Sequence, residues 1–282
     1  MQLPSILVED LVRTALKEDL GHGLDITSQC VIDPNANVRA VFKAREEGVL
    51  AGLMLAITSF IHTSPYFEFE VFAQDGEVLD AEQEIMAVEG PADALMTAER
   101  TALNFLTHMS GIATLTRRYV LAVQGTNAKI TDTRKTLAGL RAIQKYAVRA
   151  GGGHNHRFGL DDAILIKDNH IAIAGGIEAA LTHANNNAGH TAKIEIEVDT
   201  LEQLDQVLSH GGVDIVMLDN FELSDLKKAI ETINGRLITE ASGGVNLNTV
   251  EDIAKTGVDY ISVGALTHSA PSLDIGLDID PL

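Results

Sequence analysis

Apolar residues Ile6, Leu7, Leu11, Val12, Ala15 and Leu16 fall on one side of a helical wheel, with Glu9, Asp10, Arg13 and Lys17 on the other. That spacing predicts an amphipathic helix over 5–20, closed at Gly21-His22-Gly23. From residue 37 to about 89 the period shortens to two. Val38-Arg39-Ala40-Val41-Phe42-Lys43 and Phe67-Glu68-Phe69-Glu70-Val71-Phe72 alternate, and Gly48, Asp75-Gly76 and Gly90-Pro91 supply turns. With a helix near 53–62 between the strands, this stretch reads as an α+β unit on an antiparallel sheet. Ala98, Ala102, Phe105 and Leu106 predict a helix over 97–123 with a break or cap at Gly111. Arg100 lies on another face of it, near the start, where a cation is mildly disfavoured by the helix dipole.

Beyond residue 125 short apolar runs alternate with helical segments. Strands are expected at 129–132, 163–167, 193–198, 215–218, 237–241 and 260–263, and helices at 137–149, 176–186, 201–209, 223–233 and 248–255. Alternating strand and helix means a parallel sheet with right-handed crossovers, and six such units suggest an incomplete TIM-like barrel. A doubly wound open sheet is the competing architecture.

Composition narrows the function. Among 282 residues acids outnumber bases 40 to 21, a formal charge of −19, which argues against nucleic acid or an anionic membrane as partner. No run of about 18 apolar residues occurs, so no membrane span is expected. Cys30 is the single cysteine, which excludes an internal disulfide and a thiolate-rich metal site. The first residues carry no basic, apolar leader pattern, and a cytoplasmic location is the expectation. Against this background residues 131–170 are unusual. Arg134, Lys135, Arg141, Lys145, Arg149, Arg157 and Lys167 stand against only Asp132, Asp161, Asp162 and Asp168. A basic island in an acidic chain suggests a small, highly charged anion as ligand.

Parallel α/β folds carry chemistry at the carboxyl ends of their strands. Here those ends hold Thr133-Arg134-Lys135, then Lys167-Asp168-Asn169, Glu197, Asp219-Asn220, Glu240 with Ser242-Gly243-Gly244, and Gly264. Cations suit carboxylates or phosphates. Paired carboxylates suit Mg²⁺, and glycine turns offer bare N–H groups to a phosphate. Each feature has a plainer reading. Thr133-Arg134-Lys135 is also an exposed basic turn, Lys167 a snorkelling lysine, Glu240 the partner of a lysine, and Ser242-Gly243-Gly244 an ordinary turn. Gly151-Gly152-Gly153 lacks the Gly-Lys-Ser/Thr of a P-loop. His154, His156 and His170 form only a non-specific zinc pattern. Glu195 and Glu197 share a strand face, and position alone favours Glu197 as the inner one. No nucleophilic triad is visible. A Schiff-base aldolase using Lys167 and a non-catalytic anion-binding module on the same fold are the rival readings.

The segments EDLGHGLDITS (18–28), ERTALNFLTHMSGIAT (99–114), TDTRKTLAGLRAIQKYAV (131–148), GGGHNHRFGLDDAILIKDNH (151–170), IEIEVDTLEQL (194–204), VMLDNF (216–221), EASGGV (240–245) and DYISVGALTHS (259–269) closely resemble the quinolinate phosphoribosyltransferase family, in its order. Ala138 replaces a usual proline and Ala150 a frequent cysteine, neither of which supplies a charge. The resemblance implies a type II phosphoribosyltransferase fold. An α/β sandwich would span 1–111 with the tail 269–282, and an α/β barrel 112–268. It implies a pentosyltransferase that moves the phosphoribosyl group of phosphoribosyl pyrophosphate onto quinolinate with decarboxylation, giving nicotinate mononucleotide, pyrophosphate and CO₂ in de novo NAD synthesis, with Mg²⁺, in a homodimer or higher homo-oligomer. By resemblance Arg134, His156, Arg157 and Lys167 hold quinolinate, with Arg100 reaching in from the neighbouring subunit. Lys135 and Lys167 hold pyrophosphate, while Thr133 lies at the same loop. Glu197 and Asp219 serve ribose and metal. Ser242, Gly243, Gly244, Val263, Gly264 and Ala265 surround the 5′-phosphate. Catalysis would fall to Glu197, Lys135, Lys167 and Asp219.

Overall fold

The computed structural model describes residues 3–280. The chain divides into two compact units. One holds the chain to Arg117, Ala142–Gly152 and the chain from Ser269; the other holds Arg118–Arg141 and Gly153–His268.

The first unit opens with α1 (Ser5–Leu20), which buries Val12 and Leu16 of the expected apolar face together with Val8, while Ile6 and Leu7 at its first turn are exposed. Helix α2 (Ile26–Val31) is capped by Asp25, whose side chain accepts from the Thr27 and Ser28 N–H groups. Strands β1 (Asn37–Ala44) and β2 (Gly48–Val49) precede α3 (Leu53–Thr63). Strands β3 (Glu68–Val71), β4 (Val78–Leu79) and β5 (Glu84–Pro91) follow, then α4 (Ala92–Ala122). Strand β1 pairs antiparallel with β5 and with the last strand of the chain, giving a four-stranded sheet with the tail strand at one edge and β3 at the other. Its core is aromatic at the centre. Phe60 of α3 meets Phe42 and Phe67 edge-on at centroid distances of 5.8 and 5.4 Å.

Helix α4 runs without a break through Gly111, where a break or cap is expected from the sequence. The glycine is there for space. A Cβ at 111 would lie 2.0 Å from the Pro271 carbonyl oxygen, so the returning tail fixes the residue, not helix termination.

Strand β6 (Lys129–Thr131) begins the second unit. After it, α5 (Arg141–Ala150) groups from Ala142 onward with the first unit, where Tyr146 Oη donates to Asp75 at 2.7 Å. A split at 111/112 with one continuous barrel segment therefore differs from the contact grouping at 112–117 and at 142–152. The chain continues through β7 (Ile164–Ile166), α6 (Asp168–Ala174) and α7 (Ile177–Asn187) to β8 (Ile194–Val198). Next come α8 (Leu201–His210), β9 (Ile215–Asp219), α9 (Leu223–Ile233) and β10 (Ile238–Ser242). The unit closes with α10 (Val250–Ala254), β11 (Tyr260–Ser262) and α11 (Ala265–His268); the tail strand is β12 (Ile275–Asp280). The parallel order is β6-β11-β10-β9-β8-β7. A lone parallel bridge from Thr131 to His154 extends the β6 edge. Six strands with β6 and β7 at opposite edges make this an incomplete α/β barrel. Buried Ile196, Val216 and Ile261 fill the alternate positions. The register sets Glu197 beside Met217 and Met217 beside Glu240, with Asp219 beside Ser242 one step further on.

Candidate active site

The carboxyl ends of these strands enclose a cavity of about 440 Å³ within the second unit. Fifteen residues are expected at the site from the sequence, and nine line it. Thr133, Arg134 and Lys135 come from the loop after β6, and His156 and Arg157 from the segment after the His154 bridge. Lys167, Glu197, Asp219 and Ser242 come from the ends of β7, β8, β9 and β10. Leu165, Met217, Glu240 and Ser262 line it as well. Buried Leu165 and Met217 give it an apolar patch suited to a flat ring.

The cationic loop is tied down. The Lys135 N–H donates to Thr133 Oγ1 at 2.9 Å, and Thr267 Oγ1 donates to the Lys135 carbonyl at 2.7 Å. Arg157 Nη1 donates to the Ala163 carbonyl at 2.9 Å. The Nε atoms of Arg134 and Arg157 are buried and have no hydrogen-bond partner among the described residues. Burial, then the Arg134 charge, presses Arg157 below the usual guanidinium range, against the pull of Glu195 and Asp162. Two guanidinium groups held this way favour an anion between them.

The acidic wall faces them. Lys167 Nζ sits 2.7 Å from Glu197 Oε2, turned toward the carboxylate at the end of the next strand. Lys167 also starts α6, its N–H donating to His170 Nδ1 at 2.9 Å. That bond occupies His170 locally, and the ligand-like clusters among the described residues include neither it nor His154. Glu197, Asp199 and Asp219 each offer an oxygen within 4.8 Å of the others. Burial, then the charges of Asp219 and Asp168, raises Asp199 above the usual carboxylate range. An all-oxygen trio with mutual repulsion fits a hard divalent cation such as Mg²⁺.

His156 is committed to the protein. Its Nδ1 accepts from the Arg157 N–H at 2.7 Å, and its Nε2 lies 3.1 Å from Glu195 Oε2 and 3.7 Å from Glu240 Oε1. Glu240 therefore meets a histidine where a lysine partner is one reading of the sequence. Burial, then the Glu195 charge, pushes its carboxyl up to about 7, with His156 pulling the other way. Beneath them fully buried Asp132 accepts from the His156 N–H at 2.9 Å and from Asn155 Nδ2 at 2.6 Å. Glu240 stands among the strand-end groups in the sequence without an assigned role, and Glu195 is passed over there in favour of Glu197; the structure brings both against His156.

Six expected residues do not line the cavity: Arg100, Gly243, Gly244, Val263, Gly264 and Ala265. Arg100 is exposed on α4. Gly243 has φ +92°, and a Cβ there would lie 2.1 Å from Asn220 Oδ1, so this turn requires glycine. At Gly244 a Cβ would meet nothing within 4 Å. Val263 is buried, its N–H donating to the Thr131 carbonyl at 2.9 Å, and Ala265 opens α11. Another cavity, of about 390 Å³, lies in the first unit near Arg13, Lys17, His62 and Asp93. No buried unpaired donor faces it among the described residues.

Comparison with known proteins gives a consistent picture. Residues 112–278 match the family model described as quinolinate phosphoribosyl transferase, C-terminal domain, and residues 25–110 match that of its N-terminal domain. The chain is 47% identical over 275 residues to the nicotinate-nucleotide pyrophosphorylase [carboxylating] of Mycobacterium leprae, covering 96% of both chains. It is 43% identical over 262 residues to the probable enzyme of that name from Bacillus subtilis, covering 93% of this chain and 90% of the relative. The solved structure of the nicotinate-nucleotide pyrophosphorylase from Francisella tularensis superposes with a TM-score of 0.92 at 39% identity, over 99% of this chain and 98% of that one.

Proposed function

The chain belongs to the quinolinate phosphoribosyltransferase family, and from that premise we propose how its residues carry out the carboxylating nicotinate-nucleotide pyrophosphorylase reaction. The phosphoribosyl group passes from phosphoribosyl pyrophosphate to the ring nitrogen of quinolinate. The products are nicotinate mononucleotide, pyrophosphate and CO₂, a step of de novo NAD synthesis. The observation that carries this reading is the pair of buried, unpartnered guanidinium Nε atoms of Arg134 and Arg157, which share one cavity with Glu197 and Asp219. Such a site takes a small dianion on one side and a cation-bearing or cationic group on the other.

Arg134 and Arg157 hold the two carboxylates of quinolinate, and Leu165 and Met217 flank the ring. Forked guanidinium groups match carboxylates better than lysine does. Lys135 and Lys167 hold pyrophosphate, with Lys167 turning from Glu197 to the leaving group. Glu197, released from that pair, faces the ribose and stabilises positive charge growing at the anomeric carbon. Glu197 and Asp219, with Asp199 beside them, hold Mg²⁺. Bound there, Mg²⁺ would neutralise charge building on the pyrophosphate oxygens. The Ser242-Gly243-Gly244 turn and the Val263-Gly264-Ala265 segment take the 5′-phosphate through backbone N–H groups. Once the ring nitrogen is alkylated, the positive ring takes up the bonding pair of the adjacent C–C bond as that carboxylate departs as CO₂, and a proton from water then fills the vacated ring carbon. Positioning and electrostatics supply the acceleration.

Arg100 completes the acceptor site of a neighbouring subunit in a homodimer. Mixing Arg100→Ala with Arg157→Ala should restore activity in hybrid dimers, whereas two inactive pools that stay inactive would remove this assignment. Exposed Cys30 and the absence of a helix long and apolar enough to cross a membrane among the described residues accord with a cytoplasmic enzyme.

The deciding experiment is a Mg²⁺-dependent assay with phosphoribosyl pyrophosphate and either quinolinate or nicotinate, following pyrophosphate and CO₂ together. Equimolar release with quinolinate alone is expected. Binding without turnover would point instead to a non-catalytic anion-binding protein.

A further inference from the structure

An anion-binding pocket with one buried carboxylate in its wall, Glu240, and a second, Glu195, close behind it needs a reason. Glu195 is 3% exposed and Glu240 4%, and one oxygen of each has no hydrogen-bond partner among the described residues. Burying two such groups side by side is costly, and they carry no contact to Arg134, Lys135 or Lys167 that would offset it. What both face is one imidazole, with the Arg157 charge also acting on Glu195 and the Ser262 hydroxyl on Glu240. Glu195 approaches from β8 and Glu240 from β10, and His156 Nε2 lies between them at 3.1 and 3.7 Å. The other ring nitrogen accepts from the Arg157 N–H at 2.7 Å. An Nδ1 that accepts leaves the ring proton on Nε2, pointed at the carboxylates. The backbone of the same residue is fixed independently by Asp132.

We propose that Glu195 and Glu240 are positioning residues for acceptor recognition, clamping the His156 ring so that the Arg157 guanidinium is held at the angle a pyridine dicarboxylate requires. The proposal deepens the reading of this site as a quinolinate site and rests on it. The chain of contacts runs from β8 and β10 through the imidazole to the Arg157 N–H. The Ala163 carbonyl, at 2.9 Å, then holds Nη1 and leaves Nε for the ligand. Without the clamp the imidazole is free to turn, Nδ1 no longer receives the Arg157 N–H, and the guanidinium samples several orientations. The loss falls on the acceptor. Phosphoribosyl pyrophosphate, held by Lys135, Lys167 and the glycine turns, is spared.

The test is steady-state kinetics of the intact enzyme with Glu195→Leu, which keeps the volume and removes the acceptor, and Glu195→Gln, which keeps an acceptor oxygen for Nε2–H. Glu195→Leu should raise KM for quinolinate tenfold or more and leave KM for phosphoribosyl pyrophosphate within threefold, and Glu195→Gln should recover most of the difference. In an Arg157→Ala background Glu195→Leu should cost almost nothing further, because the residue acts through Arg157. Equal changes in both KM values, or full additivity with Arg157→Ala, would overturn the clamp. If Glu195→Leu does not fold, Glu240→Leu tests the same clamp from β10, judged by the same ratio of KM values. A parent enzyme without quinolinate turnover would sink the functional reading itself; a parent that turns over while the variants match it would sink the clamp alone.

Discussion

Glu240 makes a prediction about stability that can be worked through in full. Its carboxyl is raised from 4.5 to about 7, first by burial and then by the charge of Glu195. The folded state therefore holds a proton that the unfolded chain has already released between these two values. Where the folded state binds more protons, stability falls as pH rises, so the cost accumulates from about pH 4.5 and levels off above about 7. At about 1.4 kcal/mol per pH unit, that displacement is worth roughly 3 kcal/mol. Glu240→Gln keeps the shape of the protonated acid and cannot ionise. Urea unfolding of the parent and the variant, followed by circular dichroism from pH 5 to 8, reads the effect of Glu240 together with its coupling to Glu195 and His156, since the remaining titrating groups are common to both. The two stabilities should nearly coincide at pH 5. They should diverge with rising pH until the variant is more stable by roughly 3 kcal/mol near pH 8. Parallel curves, or a variant that loses ground as pH rises, would show that Glu240 is ionised throughout and that the burial argument is wrong. A variant that is more stable but recognises quinolinate less well would identify the buried charge as one kept for function at the expense of stability.

Three further outcomes follow from the geometry. Arg157→Ala should weaken quinolinate binding by about 10- to 150-fold, the range for losing charge-assisted hydrogen bonds of about 1.5–3 kcal/mol. Calorimetry should find phosphoribosyl pyrophosphate binding within threefold of the parent, and equal losses for both ligands would show the role misassigned. Asp219→Asn should weaken Mn²⁺ binding about tenfold by electron paramagnetic resonance without substrate, since one of three hard oxygen donors loses its charge; an unchanged affinity would place the metal elsewhere. Gly111→Ala brings a Cβ to 2.0 Å from the Pro271 carbonyl oxygen, so a loss of about 2 kcal/mol or more is expected. Unchanged thermal melting would mean that the tail gives way.

The parts of the molecule that declare themselves in the sequence are those where one residue type stands out from its surroundings. Helix α1 and the six parallel strands follow from apolar periodicity, because burial of one face is a local pattern even though the core is not local. The cations Arg134, Arg157 and Lys167 are visible because the rest of the chain is acidic. Gly111 misleads for the opposite reason: what requires it is a carbonyl 160 residues later in the chain, and nothing nearby records that approach. The carboxylates fare worst. In a chain with 40 acids, Glu195 and Glu240 give no contrast. Alternation puts Glu195 and Glu197 on one face but says nothing of depth. Depth comes from the register, which sets Glu195 beside Leu165 and Ile215 and Glu197 one row further along, beside Met217. One row separates a carboxylate that ends against a buried imidazole from one that reaches the cavity and pairs with Lys167. A two-residue step along a strand is about 7 Å, longer than any of these contacts. The division of labour between the two glutamates is therefore a property of strand pairing, and it becomes visible only when the sheet is assembled.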